Sequence, residues 1–280
     1  MKVLVTGLDG FTGAYLEREL AQHGHAVTGL QSDLTDWDAV SREVAAVQPE
    51  AVIHLAAISF VPSGDSTDVY AVNTLGTQGL LEALARLPVA PKKVILASSS
   101  NVYGMRAGVL DESMCPKPVN HYGCSKLAME HIAETYSARL PIVITRPFNY
   151  TGVGQDENFL IPKIVSHFKR RAPVIELGNT DVSRDFSDVR WIACAYRHLL
   201  DNGEYAGIYN LCSGRLNSIK QVVDILAELT GHHIDVVVNP AFVRPNDILQ
   251  QCGSTRRIDE VFSNDGSDSI LSTLKWMLAN

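Results

Sequence analysis

No stretch of this 280-residue sequence concentrates positive charge: 24 lysines and arginines face 31 acids, the formal net charge is −7, and both signs are scattered along the chain. That excludes a nucleic-acid groove or a patch for anionic membranes, and it leaves any anionic ligand to a few local cations. Cysteine is scarce as well. The five, Cys115, Cys124, Cys194, Cys212 and Cys252, are odd in number, dispersed, and contain no Cys-x-x-Cys pair. A disulfide framework and a zinc ribbon are thereby excluded; no metal site is read, and the usage is that of a reducing cytoplasm, the expected location. No apolar run approaches a membrane span, and the opening "MKVLVTG" goes straight into a strand. Neither a transmembrane helix nor a signal peptide is expected. Internal repeats and low-complexity linkers are also missing.

What is present is alternation. The short β-branched runs "KVLVTG", "HAVTGL", "AVIHLAA", "KKVILASS" and "PIVITRPFN" are separated by helical segments such as "TGAYLERELAQHG", "WDAVSREVAAVQ", "NTLGTQGLLEALARL" and "GCSKLAMEHIAETYSARL". Strand, helix, strand in repetition predicts an α/β fold, a Rossmann-type doubly wound parallel sheet with helices on both faces. After Asn149 the pattern loosens, and "RDFSDVRWIACAYRHLL" reads as a return to the first unit. The expected division is a coenzyme-binding domain of residues 1–149 plus roughly 183–212, and a smaller C-terminal α/β substrate domain of 150–182 and 213–280.

The first motif is "VTGLDGFTG", with Gly7, Gly10 and Gly13 between the first strand and the helix that Phe11 and Thr12 open. Glycines in such a turn let backbone approach a pyrophosphate, and the helix start beyond offers free N–H groups and a positive dipole end. The G-x-x-G-x-x-G spacing differs by one residue from the commonest dinucleotide fingerprint and resembles the short-chain dehydrogenase/reductase version. The adenosine end is plainer: "GLQSDLTD" has neither an acid at the strand end for a ribose 2′-hydroxyl nor an arginine for a 2′-phosphate. With no cation there, NAD(H) is favoured and NADP(H) stays open. Asp33 and Leu34 are placed to line the adenine; the competing reading makes Asp33 and Asp36 a capping pair before the helix at Trp37.

The second constellation is Ser99, Tyr122 and Lys126. "HYGCSK" sets Tyr122 and Lys126 four apart at a helix start, on one face. A nearby ammonium is expected to lower the phenol's pKa toward neutrality, and a serine hydroxyl on a strand end can hold a substrate oxygen as its charge changes. A lone Tyr-x-x-x-Lys pair is more often a solvated helix face than a catalytic pair; the glycine turn upstream and "SSSNVYG" shift the reading to catalysis.

Together these motifs, with "HLAA", "VNTLGT", "RPFNYTGVGQ", "GNTDVSRDFSDV" and "YNLCSG", make the chain resemble an extended short-chain dehydrogenase/reductase of the nucleotide-sugar epimerase/dehydratase group, over nearly its whole length. The resemblance implies that Leu55, Ala56, Ala57 and Asn73 line the coenzyme. It also implies that Ser100, Asn101, Asn149, Arg184 and Arg244 face a sugar-nucleotide diphosphate, for which arginine forks are suited. The other reading of Arg184 is an ion pair with Asp185 or Asp188, and that of Arg244 a surface residue beside a turn. Family members often form a homodimer through a four-helix interface, here the helices near Asn73 and Tyr122.

The residues after Ser99 then sort the reactions. In similar 4,6-dehydratases these positions carry acids, and in similar 3,5-epimerase-reductases a cysteine holds the Asn101 place, with a histidine near Gly154 and Gln155. Here Ser100 and Asn101 do not titrate near neutrality. What remains is hydride transfer assisted by Tyr122. The expectation is an NAD(P)H-dependent 4-ketoreductase of a nucleotide-linked 4-keto-6-deoxyhexose, making a deoxysugar donor for cell-surface glycan, with an NAD-dependent 4-epimerase as the alternative. A coenzyme sensor on an inert fold would not need all three of Ser99, Tyr122 and Lys126. The "GNTDVSRDFSDV" stretch favours a GDP-linked sugar; the short segment between the second and third strands favours a dTDP-linked one.

Overall fold

The protein is described by a computed structural model over residues 1–59, 66–202, 207–242, 248–262 and 269–280. Its first half runs β1 (Lys2–Thr6), α1 (Phe11–Gln22), β2 (Ala26–Gly29), α2 (Trp37–Val47), β3 (Ala51–His54), α3 (Thr67–Tyr70), a π-helical turn at Ala71–Gly76, α4 (Thr77–Ala85), β4 (Lys93–Ala97) and β5 (Gly108–Leu110). Then come α5 (His121–Glu134), β6 (Ile142–Pro147), β7 (Asn149–Thr151), α6 (Leu160–Lys169), β8 (Val174–Leu177), β9 (Ser183–Asp188), α7 (Val189–Asp201) and β10 (Gly207–Leu211). The rest is β11 (Leu216–Ser218), α8 (Ile219–Thr230), β12 (Asp235–Val238), β13 (Gln250–Gly253), α9 (Arg256–Asp259) and α10 (Ile270–Ala279).

Six strands make one parallel sheet in the order β2-β1-β3-β4-β6-β10. Strands such as β3 are buried along their whole length because helices cover both faces, which is why they read as unbroken apolar runs. One face packs α1 and α7 through Leu16, Leu20, Ile192 and Leu199; the other packs α2, α4 and α5 through Val40, Val44, Leu80, Leu84 and Met129. Of the "RDFSDVRWIACAYRHLL" segment, α7 packs on the first sheet, whereas its opening residues form β9 of a second sheet. Chain order reverses between β1 and β3, so the ends of these two strands open the crevice where such sheets bind ligands.

A third core lies among α6, α8, α10 and strands β8 and β9, with Ile164, Phe168, Val222, Leu226 and Leu274 buried. Its helices start on strong local signals: Ser218 and Gln221 form a capping box for α8, and Gly231 ends it in the left-handed region. A second sheet runs in the order β11-β9-β13-β5, with β7 paired to β9.

The "GCSKLAMEHIAETYSARL" segment is less helical than expected, since α5 stops at Glu134. The hydroxyls of Thr135 and Ser137 donate to the carbonyls of Ile132 and Glu134, and Pro141 follows. Both features turn the backbone away from further helix.

Candidate active site

At the end of β1 the chain turns through Gly7 at φ +71°, where a Cβ would stand 2.9 Å from the Ala56 nitrogen. A Cβ on Gly13 would stand 2.2 Å from the Leu8 carbonyl oxygen. The turn is therefore closed to side chains, as a backbone cradle for a pyrophosphate must be. Gly10 caps α1 without a side-chain bond, and the helix has no acid in its first turn, so its leading N–H groups face an anion unopposed. Behind them Phe11 stacks on Tyr150 with centroids 6.2 Å apart, and Thr12 Oγ1 lies 2.8 Å from the Tyr150 hydroxyl. These residues fit a dinucleotide.

The end of β3 is clamped to β1: the Ala56 N–H donates to Thr6 Oγ1 at 3.1 Å, and the Leu55 N–H to the Thr6 carbonyl at 3.2 Å. His54 of "HLAA" bridges Thr6 Oγ1 (2.6 Å) and Thr77 Oγ1 (2.8 Å) in the core. Burial, with the Lys126 charge, drives its pKa down to about 3, so it is a neutral structural link. Asn73, expected to line the coenzyme, is wholly buried in the π-helical turn. Its amide accepts from Ile58 N–H and donates to the Ile58 carbonyl and Ser125 Oγ. It supports the crevice wall from behind.

At the adenosine end Asp36 caps α2 by accepting from Ala39 N–H, and Asp33 accepts from the Thr35 N–H and hydroxyl. Thr35's two bonds hold the exposed Asp33 carboxyl below its ordinary pKa, the backbone one first. The Leu34 side chain is 6% exposed and packs in the core beside Val40 and Leu80. The acid that sequence reading misses here is Glu43 of α2, whose carboxylate accepts from the N–H groups of Gln31 and Ser32, both at 2.8 Å. No local motif announces it.

β4 delivers Ser98 and Ser99. The Ser98 hydroxyl donates to Glu130 at 2.5 Å, and Glu130 is gripped by Arg146 through two bonds of 2.9 and 2.6 Å, all buried. Arg146 lies over the Tyr103 ring, whose hydroxyl donates to Asn210. This buried support was not foreseen, although Glu130 sits four after Lys126 on one helix face. Ser99 caps a 3-10 turn, its Oγ accepting from the Asn101 N–H (3.2 Å) and side-chain amide (3.1 Å), and it stands beside the Tyr122 phenol. Asn120 caps α5 by accepting from Gly123 N–H at 2.7 Å, which places Tyr122 in the first turn and Lys126 in the next.

The Lys126 ammonium donates to the Ala97 carbonyl at 2.7 Å and is buried, 1% exposed. Burial lowers its pKa to about 8, against the pull of Glu130. The expected lowering of the Tyr122 pKa is not what the structure holds: burial, aided by Tyr150, raises it to about 12, the Ser99 hydroxyl opposing. The ammonium is occupied at the strand end, and desolvation of the phenolate dominates. A neutral phenol is a proton donor at pH 7.

Ser100 and the exposed Asn101 follow Ser99, with Asn101 Oδ1 accepting from Asn120 at 3.3 Å. Asn149 is exposed on β7, its amide donating to the Asp185 carbonyl. Arg184, on the adjacent β9, is half-buried and donates to the carbonyls of Ser183 (3.0 Å) and Ile248 (2.6 Å). Asp188 is taken up by Arg190 and Thr273. Asp185 accepts from the Ser213 N–H and hydroxyl, Gly214 N–H, Gly253 N–H and Cys252 thiol. Arg244 lies outside the described residues.

A parallel sheet with a glycine cradle at its switch point, and a Ser–Tyr–Lys set beside it, defines a nicotinamide-dependent oxidoreductase. The chain belongs to the NAD dependent epimerase/dehydratase family, whose model matches residues 3–212, and is an NAD(P)-dependent enzyme acting on a nucleotide sugar. It is 38% identical over 272 residues to GDP-6-deoxy-D-talose 4-dehydrogenase of Aggregatibacter actinomycetemcomitans, covering 95% of this chain and 92% of that one. It is 32% identical over 296 residues to GDP-6-deoxy-D-mannose reductase of Pseudomonas aeruginosa, covering 100% and 96%. Among solved structures, RMD from Pseudomonas aeruginosa complexed with NADPH matches with a TM-score of 0.90 at 30% identity, over 100% of this chain and 98% of that one. No helix among the described residues is long and apolar enough to cross a membrane.

Proposed function

We propose that this protein is a 4-ketoreductase of a nucleotide-linked 4-keto-6-deoxyhexose, working in the reducing direction on a GDP-linked sugar. The observation that carries the reading is the pairing of Tyr122, a phenol kept neutral by burial, with Ser100 and Asn101, neighbours that cannot titrate. Such a site donates a proton to an oxygen and has no acid or base for dehydration. The names of the two relatives, both GDP-6-deoxyhexose enzymes acting by oxidation or reduction, support the guanine base.

The glycine turn of Gly7, Gly10 and Gly13, with Phe11, Thr12 and the Ala56–Ala57 strand end, would hold the coenzyme's pyrophosphate and ribose. Bound there, the coenzyme supplies hydride to the ketone carbon. Ser99 holds the C4 oxygen by a hydrogen bond, Tyr122 transfers its phenolic proton to that oxygen as it becomes an alkoxide, and Lys126 moderates the charge left on Tyr122. Asn149 and Arg184 bind the diphosphate. The division into a coenzyme part (1–149 with about 183–212) and a sugar-nucleotide part (150–182 with 213–280) follows this assignment, and the helices near Asn73 and Tyr122 supply a homodimer face.

The test is a panel of GDP- and dTDP-linked 4-keto-6-deoxyhexoses with NADH and NADPH, following absorbance and product mass. A gain of two hydrogens with one reduced coenzyme consumed per sugar is expected. Unchanged mass with inverted C4 and no net coenzyme use would identify a 4-epimerase instead.

A further inference from the structure

We propose that Glu43 selects the coenzyme: its carboxylate, carried by α2 and fastened to the tip of β2, replaces the acid missing from that strand end and discriminates against a 2′-phosphate. The inference rests on the reading that the turn after β1 binds a nicotinamide dinucleotide. At the β2 tip the chain offers Gln31 and Ser32, an amide and a hydroxyl. Glu43 Oε1 accepts from Gln31 N–H at 2.8 Å, and Oε2 accepts from Ser32 N–H at 2.8 Å and from the Ser32 hydroxyl at 2.6 Å.

Two consequences follow. The loop's two leading N–H groups, which in an acid-free loop would be donors for a phosphate, already serve a carboxylate. The carboxylate also stands as a fixed negative charge where the adenosine ribose of such folds is read, a place that repels a dianionic group and accepts from a hydroxyl. Burial of Glu43 favours the protonated form, but the Ser32 hydroxyl and the two N–H groups outweigh it and hold the carboxyl below its ordinary range, so the charge is present at neutral pH.

The neighbouring sequence supplies no cation to offset it. Residues 19–41 contain neither lysine nor arginine. Arg42 is exposed, and at about 100° per residue it lies about 160° around α2 from the buried Val44, directed away from the sheet.

The experiment titrates the whole protein, without sugar, with ADP and 2′,5′-ADP and with NADH and NADPH, by calorimetry. The wild type is expected to bind ADP at least about tenfold more tightly than 2′,5′-ADP, about 1.4 kcal/mol, and the gap to narrow at high salt as charge repulsion is screened. In Glu43→Gln the gap shrinks by about threefold or more, on the order of 0.7 kcal/mol, chiefly through tighter 2′,5′-ADP. Equal affinity for the two nucleotides in the wild type, or equal weakening of both in the variant as a mere loop support would give, overturns the proposal. Should the variant not fold, the wild-type ratio and its salt dependence still decide. Binding of neither nucleotide would bring down the coenzyme reading itself, whereas normal binding with no sugar reduced would leave Glu43 in place and bring down only the reductase.

Discussion

Around the turn after β1, the glycines that shape the crevice lie within seven residues, Gly7 to Gly13, with Ala56 closing the turn from the next strand, whereas the partners of Asp185 come from Ser213, Gly214, Cys252 and Gly253, up to 68 positions away. The first region is rigid because a side chain has nowhere to go. The second is rigid because five donors converge on one buried carboxylate. A local construction can be read from spacing and tolerates change elsewhere; a convergent one depends on closure of the β11-β9-β13-β5 sheet and fails as a unit.

The largest expected effect separates chemistry from both constructions. Tyr122→Phe should lower turnover by about 10² or more, equivalent to about 2.7 kcal/mol, while calorimetry shows both ligands still binding. Near-normal turnover would remove Tyr122 from its role as acid. Next comes the hub: Asp185→Ala strands buried donors and should cost about 2 kcal/mol of stability in urea titration, with affinity for the nucleotide sugar falling more than affinity for the coenzyme. Equal loss of both would show that the two regions are not independent.

A smaller effect is expected from Arg184. Held by two carbonyls, it is already ordered for a diphosphate, so Arg184→Met should raise the sugar-nucleotide KM about tenfold with kcat changed less than about threefold. A pure loss of stability with unchanged KM would return Arg184 to a structural role. A further effect is in pH. Lys126 has a folded pKa of about 8 against 10.5 as the ordinary value. Between these the unfolded chain binds the extra proton, so stability rises with pH. The wild type should therefore gain stability relative to Lys126→Met from about pH 8 toward 10.5, measured as urea midpoints. A gap independent of pH would mean that Lys126 is not a buried ammonium.

Much of this was legible before any coordinates. The alternation of strands and helices, the G-x-x-G-x-x-G turn and the Tyr122–Lys126 spacing are statements about residues at most one turn or one strand apart, and there backbone geometry alone brings the groups together. The Asp36 cap of α2 is of the same kind. Asn73 and Leu34, expected to line the coenzyme, have buried side chains, and their place follows from packing, because neighbouring positions on one element point in different directions. The direction of the Tyr122 pKa was missed for a related reason: spacing counts a charge four residues away, while desolvation depends on everything else that surrounds the phenol.

The sequence by itself determined the class of sheet, the glycine turn after β1 and the placing of Tyr122 and Lys126 on one helix face, since these rest on local periodicity and spacing. Tertiary structure alone decided that Glu43 reaches back eleven and twelve residues to the β2 tip, that Glu130 and Arg146 support Ser98 from below, and that Asp185 gathers the sugar-side loops. In each case the partner is a buried or half-buried polar group whose desolvation must be matched by a hydrogen bond. Which distant donor supplies it depends on how the chain closes in space, information that no window of the sequence contains.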